Sequence, residues 1–375
     1  MARMISGLAL IAAVVLMTFG SGVRAASHEQ GEHDMHAGHD MSGHSAERDA
    51  EGRRLYGMKH NVSPEQAAEM RERIIGWEDI SDAEIALSMT QMGSNYEWYI
   101  SPEGVAGDTG VLILLHGFRE RGDKIFREQV QPYGDIFPMA MSFGMSMMMS
   151  DHIQLALDDL VAAGAKQIVV IPMVASEHNS MIRQWQYIFG LYDEPSYATV
   201  QQVSTPARVY FAEPPGGDPA VAEILVDHAL ELSTNPENEV VIIAAHGPSD
   251  NTDNDKELTV LEDLAAIVQE DGGFAAVYGT TLQDDAPLEV RDANVAKLRG
   301  LVADATETGR EVIIVTNLMG SRTIQAKLRK DLKGLDYKFN AKGMVAHNKF
   351  VSWIGETVRM AIERDMWAQQ ANAAR

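Results

Sequence analysis

From residue 110 onward the chain consists of short, continuous apolar runs rich in β-branched residues, separated by amphipathic stretches long enough for helices. The runs are VLILL (111–115), DIFPMAMSF (135–143), QIVVIPMV (167–174), ARVYFA (207–212), EVVIIAA (239–245), FAAVYG (274–279), EVIIVTNL (311–318) and YKFNAKGMV (337–345). A strand without polar alternation has no face to offer water, so it must be covered on both sides. Strands of this kind belong to parallel sheets whose crossovers are helices, such as DHIQLALDDLVAAGA (151–165). The expected fold class is α/β.

The pattern is also duplicated. LLHGFRERGD (114–123) recurs in outline as AAHGPSDNTD (244–253), each after an apolar strand. GAKQIVVIPMVASEH (164–178) lies without gaps over GREVIIVTNLMGSRT (309–323). Two similar Rossmann-like lobes follow, residues 108–235 and 236–375, the second ending in a C-terminal helix. Parallel sheets with flanking helices bind ligands at the C-terminal ends of their strands, so the cleft between the lobes is the expected site. Ahead of them, 56–107 reads as a helical segment. SPEQAAEMRERIIGW (63–77) has Ser63 as N-cap with Pro64 behind it, and SDAEIALSMTQMG (81–93) has a Ser81/Glu84 capping box.

The first 25 residues have the form of an export signal: Arg3, an apolar stretch from Ile5 to Phe19, and VRA at 23–25. Cleavage after Ala25 and a periplasmic mature protein are expected, without stable membrane insertion. An uncleaved anchor is the competing reading, because the run between Arg3 and Arg24 approaches spanning length. Residues 26–55 are polar and read as a tether without a core of its own. Within it, HEQGEHDMHAGHDMSGH (28–44) holds five of the chain's twelve histidines. His28, His33, His36, His39 and His44, with Met35 and Met41, form a candidate array for Cu, Ni, Co or Zn; a plain spacer is the alternative. There are no cysteines, so any metal must be held by His, Met, Asp or Glu. The formal charge is −23, and loss of the two arginines of the signal makes it −25. Such a chain does not bind nucleic acid or anionic lipid nonspecifically, and an anionic ligand needs local cations.

His116 and His246 occupy equivalent strand ends, each followed by a glycine that permits a sharp turn. His178 ends the other matched segment, where the second copy has Thr323. A lone histidine at a strand end is often only structural. Two neutral imidazoles on adjacent strands, however, can bind a divalent metal with open coordination positions. Glu177 beside His178 is a candidate ligand or proton acceptor. Arg119, Arg121, Lys124 and Arg127 follow His116 as four cations in nine residues. They form either a solvated helix face or a carboxylate-binding patch. Six methionines in 139–149 read as packing or as a pocket wall.

VLILLHGFRERGD (111–123), LALDDLVAAGAKQIVVIPMVASEH (155–178) and the duplicated plan resemble the class II chelatases, most closely the sirohydrochlorin cobaltochelatase and ferrochelatase-like proteins. The likeness covers about 110–350. It implies two Rossmann-like lobes around a tetrapyrrole, and insertion of a divalent metal, Co²⁺ first with Fe²⁺ or Ni²⁺ as alternatives. It places the family's metal-binding histidines on His116 and His178, with Glu177 beside them. Arg119, Arg121 and Lys124 would then hold the ring's acidic substituents. HGF stands where His-Gly-Ser is usual, and VASEHNSM departs from the usual surroundings of the second histidine. Two other readings compete. One is a non-catalytic metal-binding, metal-delivery or tetrapyrrole-binding protein on the same scaffold. The other is an α/β-hydrolase, whose nucleophile elbow would have to be GMSMM (144–148), which lacks the second glycine.

Overall fold

The computed structural model describes residues 47–56, 63–91, 95–144, 149–321 and 323–373. The export segment, the His/Met-rich array and Met145, Met147 and Met148 lie outside the described residues. The first sheet is built from β1 (Arg53–Tyr56), β2 (Asn95–Tyr99), β3 (Thr109–Leu115), β4 (Met139–Phe143), β5 (Gln167–Pro172) and β6 (Arg208–Phe211), in the order β1-β2-β4-β3-β5-β6. The second contains β7 (Glu239–Ala245), β8 (Ala276–Thr281), β9 (Glu311–Asn317) and β10 (Lys338–Phe339), in the order β10-β9-β7-β8. β3 to β6 pair in parallel, and so do all four strands of the second sheet.

The duplication is realised strand for strand, since β4-β3-β5-β6 and β8-β7-β9-β10 share one order. It extends to backbone detail. Gly117 and Gly247 follow the first strand of each copy with φ +95° and +76°, and Gly164 and Gly309 precede the third with φ +98° and +79°.

Burial on both faces explains the unbroken apolar runs. Val111, Ile113 and Leu115 face a core shared with the second lobe, while Leu112 and Leu114 face the outer helices α4 (Asp151–Ala162) and α5 (Ser180–Ile188). Likewise Val241 and Ile243 enter the shared core, while Val240 and Ile242 face α8 (Leu288–Glu307) and α9 (Thr323–Asp331). The layer between the sheets is supplied by α3 (Arg119–Gly134), α6 (Pro219–Leu230), α7 (Asn251–Gly272) and α10 (Asn348–Ala373).

The amino-terminal part differs from the helical segment expected over 56–107. The helices α1 (Pro64–Arg73) and α2 (Asp82–Gln91) form, with reciprocal Ser63/Gln66 and Ser81/Glu84 caps. β1 and β2, however, are strands that extend the first sheet in antiparallel fashion. The reason is alternation in NYEWY. Tyr96 and Trp98 enter the core, and Glu97 turns to the other face, where Arg48 binds it at 3.0 Å. Arg48 and Arg54 also hold Asp159 of α4, so residues 48–55 belong to the fold and not to the expected 26–55 tether. YKFNAKGMV yields only the two-residue β10, after which the Asn340 side chain donates to the His228 carbonyl and Glu231.

His228 of α6 is a buried imidazole whose Nδ1 has no hydrogen-bond partner among the described residues. Burial, with the His347 ring 5.6 Å away, pushes its pKa down to about 4. The unfolded chain therefore takes up a proton that the folded protein refuses as pH falls below 6.5. Stability present above that pH should be lost on acidification towards 4, by up to about 3 kcal/mol. Urea unfolding at pH 7 and pH 4.5 should show this loss for the wild type and a smaller one for His228→Gln. Equal losses in both proteins would exclude His228 as the source.

Candidate metal centre

His116 and His246 stand at the ends of β3 and β7, each at a left-handed glycine turn. At Gly247 the turn is also tight, because a Cβ there would lie 2.6 Å from Thr281 Cβ and 3.0 Å from Asn254 Oδ1. Nε2 of His246 lies 3.3 Å from Asp285 Oδ2, and Nδ1 lies 2.9 Å from the Gly247 carbonyl oxygen. Asp284 and Asp285 follow β8 after Gln283, whose φ of +45° is the one positive value at a non-glycine among the described residues. Its side chain fixes that strained turn by donating to Pro248 O and Asn251 Oδ1, each at 3.1 Å, and by accepting from Asn294.

His246, Asp284 and Asp285 each offer a ligand atom, all within 4.8 Å of one another. The two carboxylates are not equivalent. Asp284 is buried, with one oxygen 2.8 Å from Arg291 Nε and the other 2.5 Å from Lys327 Nζ. Asp285 is 75% exposed and has His246 as its ion-pair partner. Asp285 is thus the available carboxylate, and Asp284 anchors the loop that presents it.

Both groups are open to solvent although protein surrounds them. Burial opposes charge on His246, but the charge and hydrogen bond of Asp285, the Gly247 carbonyl and the Asp284 charge together outweigh it, and its pKa rises to about 9. Burial works against the Asp285 charge as well, but His246 holds its carboxyl down at about 2. His116 is lowered by burial and by the neighbouring His246 charge, against the pull of Asp285. His116 lies outside the His246–Asp284–Asp285 group but close enough to feel the charges of His246 and Asp285. Such a donor set suits Co²⁺, Fe²⁺, Ni²⁺ or Zn²⁺, with positions left for another ligand.

The other residues marked in the sequence lie as follows. His178 is in the loop after β5, directly before Asn179, the N-cap of α5, and outside the His246–Asp284–Asp285 group. Glu177 accepts the Gly217 N–H at 3.0 Å and packs where a Cβ on Gly216 would sit, so its carboxylate braces the loop. Arg119 begins α3, and Arg121 is exposed on the same helix. Lys124 is ion-paired with Glu51 and Glu120 rather than directed at the site. Met139 and Met141 are core residues, as the packing reading expects. Asp284, Asp285 and their cations were not marked. An Asp pair beyond a strand was the available signal, and 54 acidic residues conceal it.

Among the contacts that join the lobes, three lie beyond the strand ends. Ser176 Oγ donates to Glu257 Oε2 at 2.6 Å, Arg183 meets Asp253 at 2.7 Å, and a Cβ on Gly320 would lie 3.0 Å from the Phe118 ring. Cavities of about 290 Å³ (Trp98, Lys124, Arg127) and 200 Å³ (Gln167, Arg208, Tyr210) lie elsewhere and include none of the candidate ligands.

No family model and no curated protein matches the chain. Among solved structures, it is similar to SirB from Bacillus subtilis with Fe³⁺, at 17% identity and a TM-score of 0.50, over 67% of this chain and 96% of that one. A second is DR2241 from Deinococcus radiodurans, described as a multi-domain protein with structural similarity to chelatases and two additional novel domains. The values there are 15% identity and a TM-score of 0.42, over 67% of this chain and 55% of that one. The likeness to SirB is one of fold. Among the described residues no helix is long and apolar enough to cross a membrane.

In the metal-free protein, the His246 ring followed by NMR should titrate near pH 9. Asp285→Asn should bring the midpoint down towards the ordinary histidine range. An unchanged midpoint would mean that Asp285 does not govern the imidazole.

Proposed function

We propose that this protein is an exported metal chelatase that inserts a divalent ion, Co²⁺ foremost and Fe²⁺ or Ni²⁺ otherwise, into a sirohydrochlorin-type tetrapyrrole. The observation that carries this reading is the His246–Asp284–Asp285 group of the second lobe, with its open Asp285 paired to His246 and with His116 of the first lobe near enough to feel both charges. The chelatase-like fold and the sequence resemblance support it.

Insertion requires an ion stripped of water and presented to one face of the ring while two pyrrole N–H protons leave. His246 and Asp285 supply an imidazole and a carboxylate, and His116 adds a second imidazole. A set this small holds the metal weakly enough to release it. An imidazole freed of metal is a base within reach of a pyrrole proton. His178, carried by the loop after the strand paired with β3, is a further imidazole at the strand ends of the first lobe. Closing the lobes excludes water and orients the ring against the metal.

Cleavage of the export signal after Ala25 leaves the His/Met-rich array in the periplasm as a metal collector. It ends three residues before Glu47, where the described chain begins. Arg53 of β1 is in register with Trp98, Met141 and Ile113 across three strand spacings, roughly 14 Å from β3. Seventeen residues reach about 20 Å even as a coil, enough to approach the cleft.

Metal insertion by the mature protein, followed through the visible spectrum of sirohydrochlorin with Co²⁺, Fe²⁺ and Ni²⁺, tests the proposal. Acceleration over the spontaneous rate is expected, and the His116→Ala/His246→Ala protein should lose it by on the order of 100-fold. Deleting 28–44 should preserve the rate at saturating metal and raise the metal concentration needed. No acceleration with any of the three ions, together with metal binding that vanishes on deleting 28–44, would instead identify a metal-binding or delivery protein.

A further inference from the structure

We infer that Arg183 is the residue that grips a carboxylate of the ligand, and that Asp253 occupies that grip until the ligand arrives. The inference rests on the reading of the cleft as a site for an acidic macrocycle, and it names how this chain recognises the acid.

Arg183 lies on α5 of the first lobe. Its Nη2 donates to Asp253 Oδ2 on α7 of the second lobe at 2.7 Å, and to Ser180 Oγ at 3.1 Å. Nε and Nη1 have no hydrogen-bond partner among the described residues, and the side chain is 33% exposed. A guanidinium with this much donor capacity unspent matches a second planar acceptor of carboxylate shape. The position is appropriate, because Arg183 meets the first turn of α7, whose Asn254 packs against Gly247 beside His246. Among the described residues, Arg291 and Lys327 beside the centre are engaged by Asp284.

The duplication shows that Asp253 is not needed where it stands. Its counterpart in the first copy is Asp123, which accepts the Phe118 N–H and the Tyr96 hydroxyl and so ties down the turn after His116. In the second copy the turn is secured by Gln283, and the start of α7 is capped by Asp250. Asp253 is thereby released from the turn and reaches across the cleft instead. Breaking a largely buried ion pair normally strands one charge at high cost. Here Lys256 Nζ already lies 3.5 Å from Asp253 Oδ1 and is 53% exposed, so Asp253 keeps a partner when Arg183 leaves. Exchange of one carboxylate for another on Arg183 also undoes a bridge between the lobes. An acidic ligand therefore opens the cleft by the same contact that holds it, whereas a neutral or cationic ring leaves the bridge closed.

Fluorescence titration of the mature protein at low salt with two metal-free probes, uroporphyrin and a tetracationic N-methylpyridyl porphyrin, tests this. Arg183→Gln should weaken uroporphyrin binding ~10-fold, the loss of about one charge-assisted hydrogen bond. Asp253→Asn should tighten it several-fold, and Arg183→Lys should retain part of the affinity. None should alter the response to the cationic probe. If Arg183→Gln proves unstable, the predicted gain in Asp253→Asn carries the test alone. Uroporphyrin binding that is unchanged in Arg183→Gln, or weakened in Asp253→Asn, overturns the assignment while leaving the tetrapyrrole reading intact. A wild-type protein that binds neither probe overturns both.

Discussion

The two sheets are held in one body by the apolar layer between them, and everything in the cleft depends on that layer. Parallel strands must be covered on both faces. In this chain one covering is shared: Val111 and Ile113 of the first sheet, Phe126, Leu225 and Trp353 of the intervening helices, and Val241 and Ile243 of the second sheet form one continuous core. A shared core fixes the spacing of the lobes. The loops beyond β3, β7 and β8 then converge, and His116 comes under the influence of His246 and Asp285, more than a hundred residues away in sequence.

Within the cleft, environment gives the same side chain three different uses. Asp284 is buried between Arg291 and Lys327 and fixes a loop. Asp285, next in sequence, is exposed and holds its charge against a single imidazole. Asp253 bridges the lobes through Arg183 while Lys256 waits on its other oxygen. In a protein of charge −23, such local pairing decides which carboxylates remain free to act.

The parts of this design legible in the sequence are those written in periodicity. The unbroken apolar runs mark eight strands of the parallel sheets, and the repeated His-Gly and Gly-Ala/Gly-Arg segments mark the duplication that the strand orders bear out. β1 and β2 escaped notice because they are short, half-polar and antiparallel, and their pairing depends on Arg48 and Arg54 finding Glu97 and Asp159 at long range. The sequence points to His178 before His246, since it shows which histidines are matched and not which acquire a carboxylate. Asp285 gains its role from the Gln283 turn, a backbone conformation with no sequence signature. Lys124 resembled a free cation only because Glu51 lies 73 residues away.

The central claim is that metal is held between the lobes, by residues of both. Cobalt K-edge X-ray absorption on mature protein lacking 28–44, loaded with one equivalent of Co²⁺, tests it most directly. The account predicts imidazole scattering together with oxygen ligands, with imidazole content falling separately in His116→Ala and His246→Ala. A hydrated ion without imidazole, or a coordination shell indifferent to both substitutions, would contradict it.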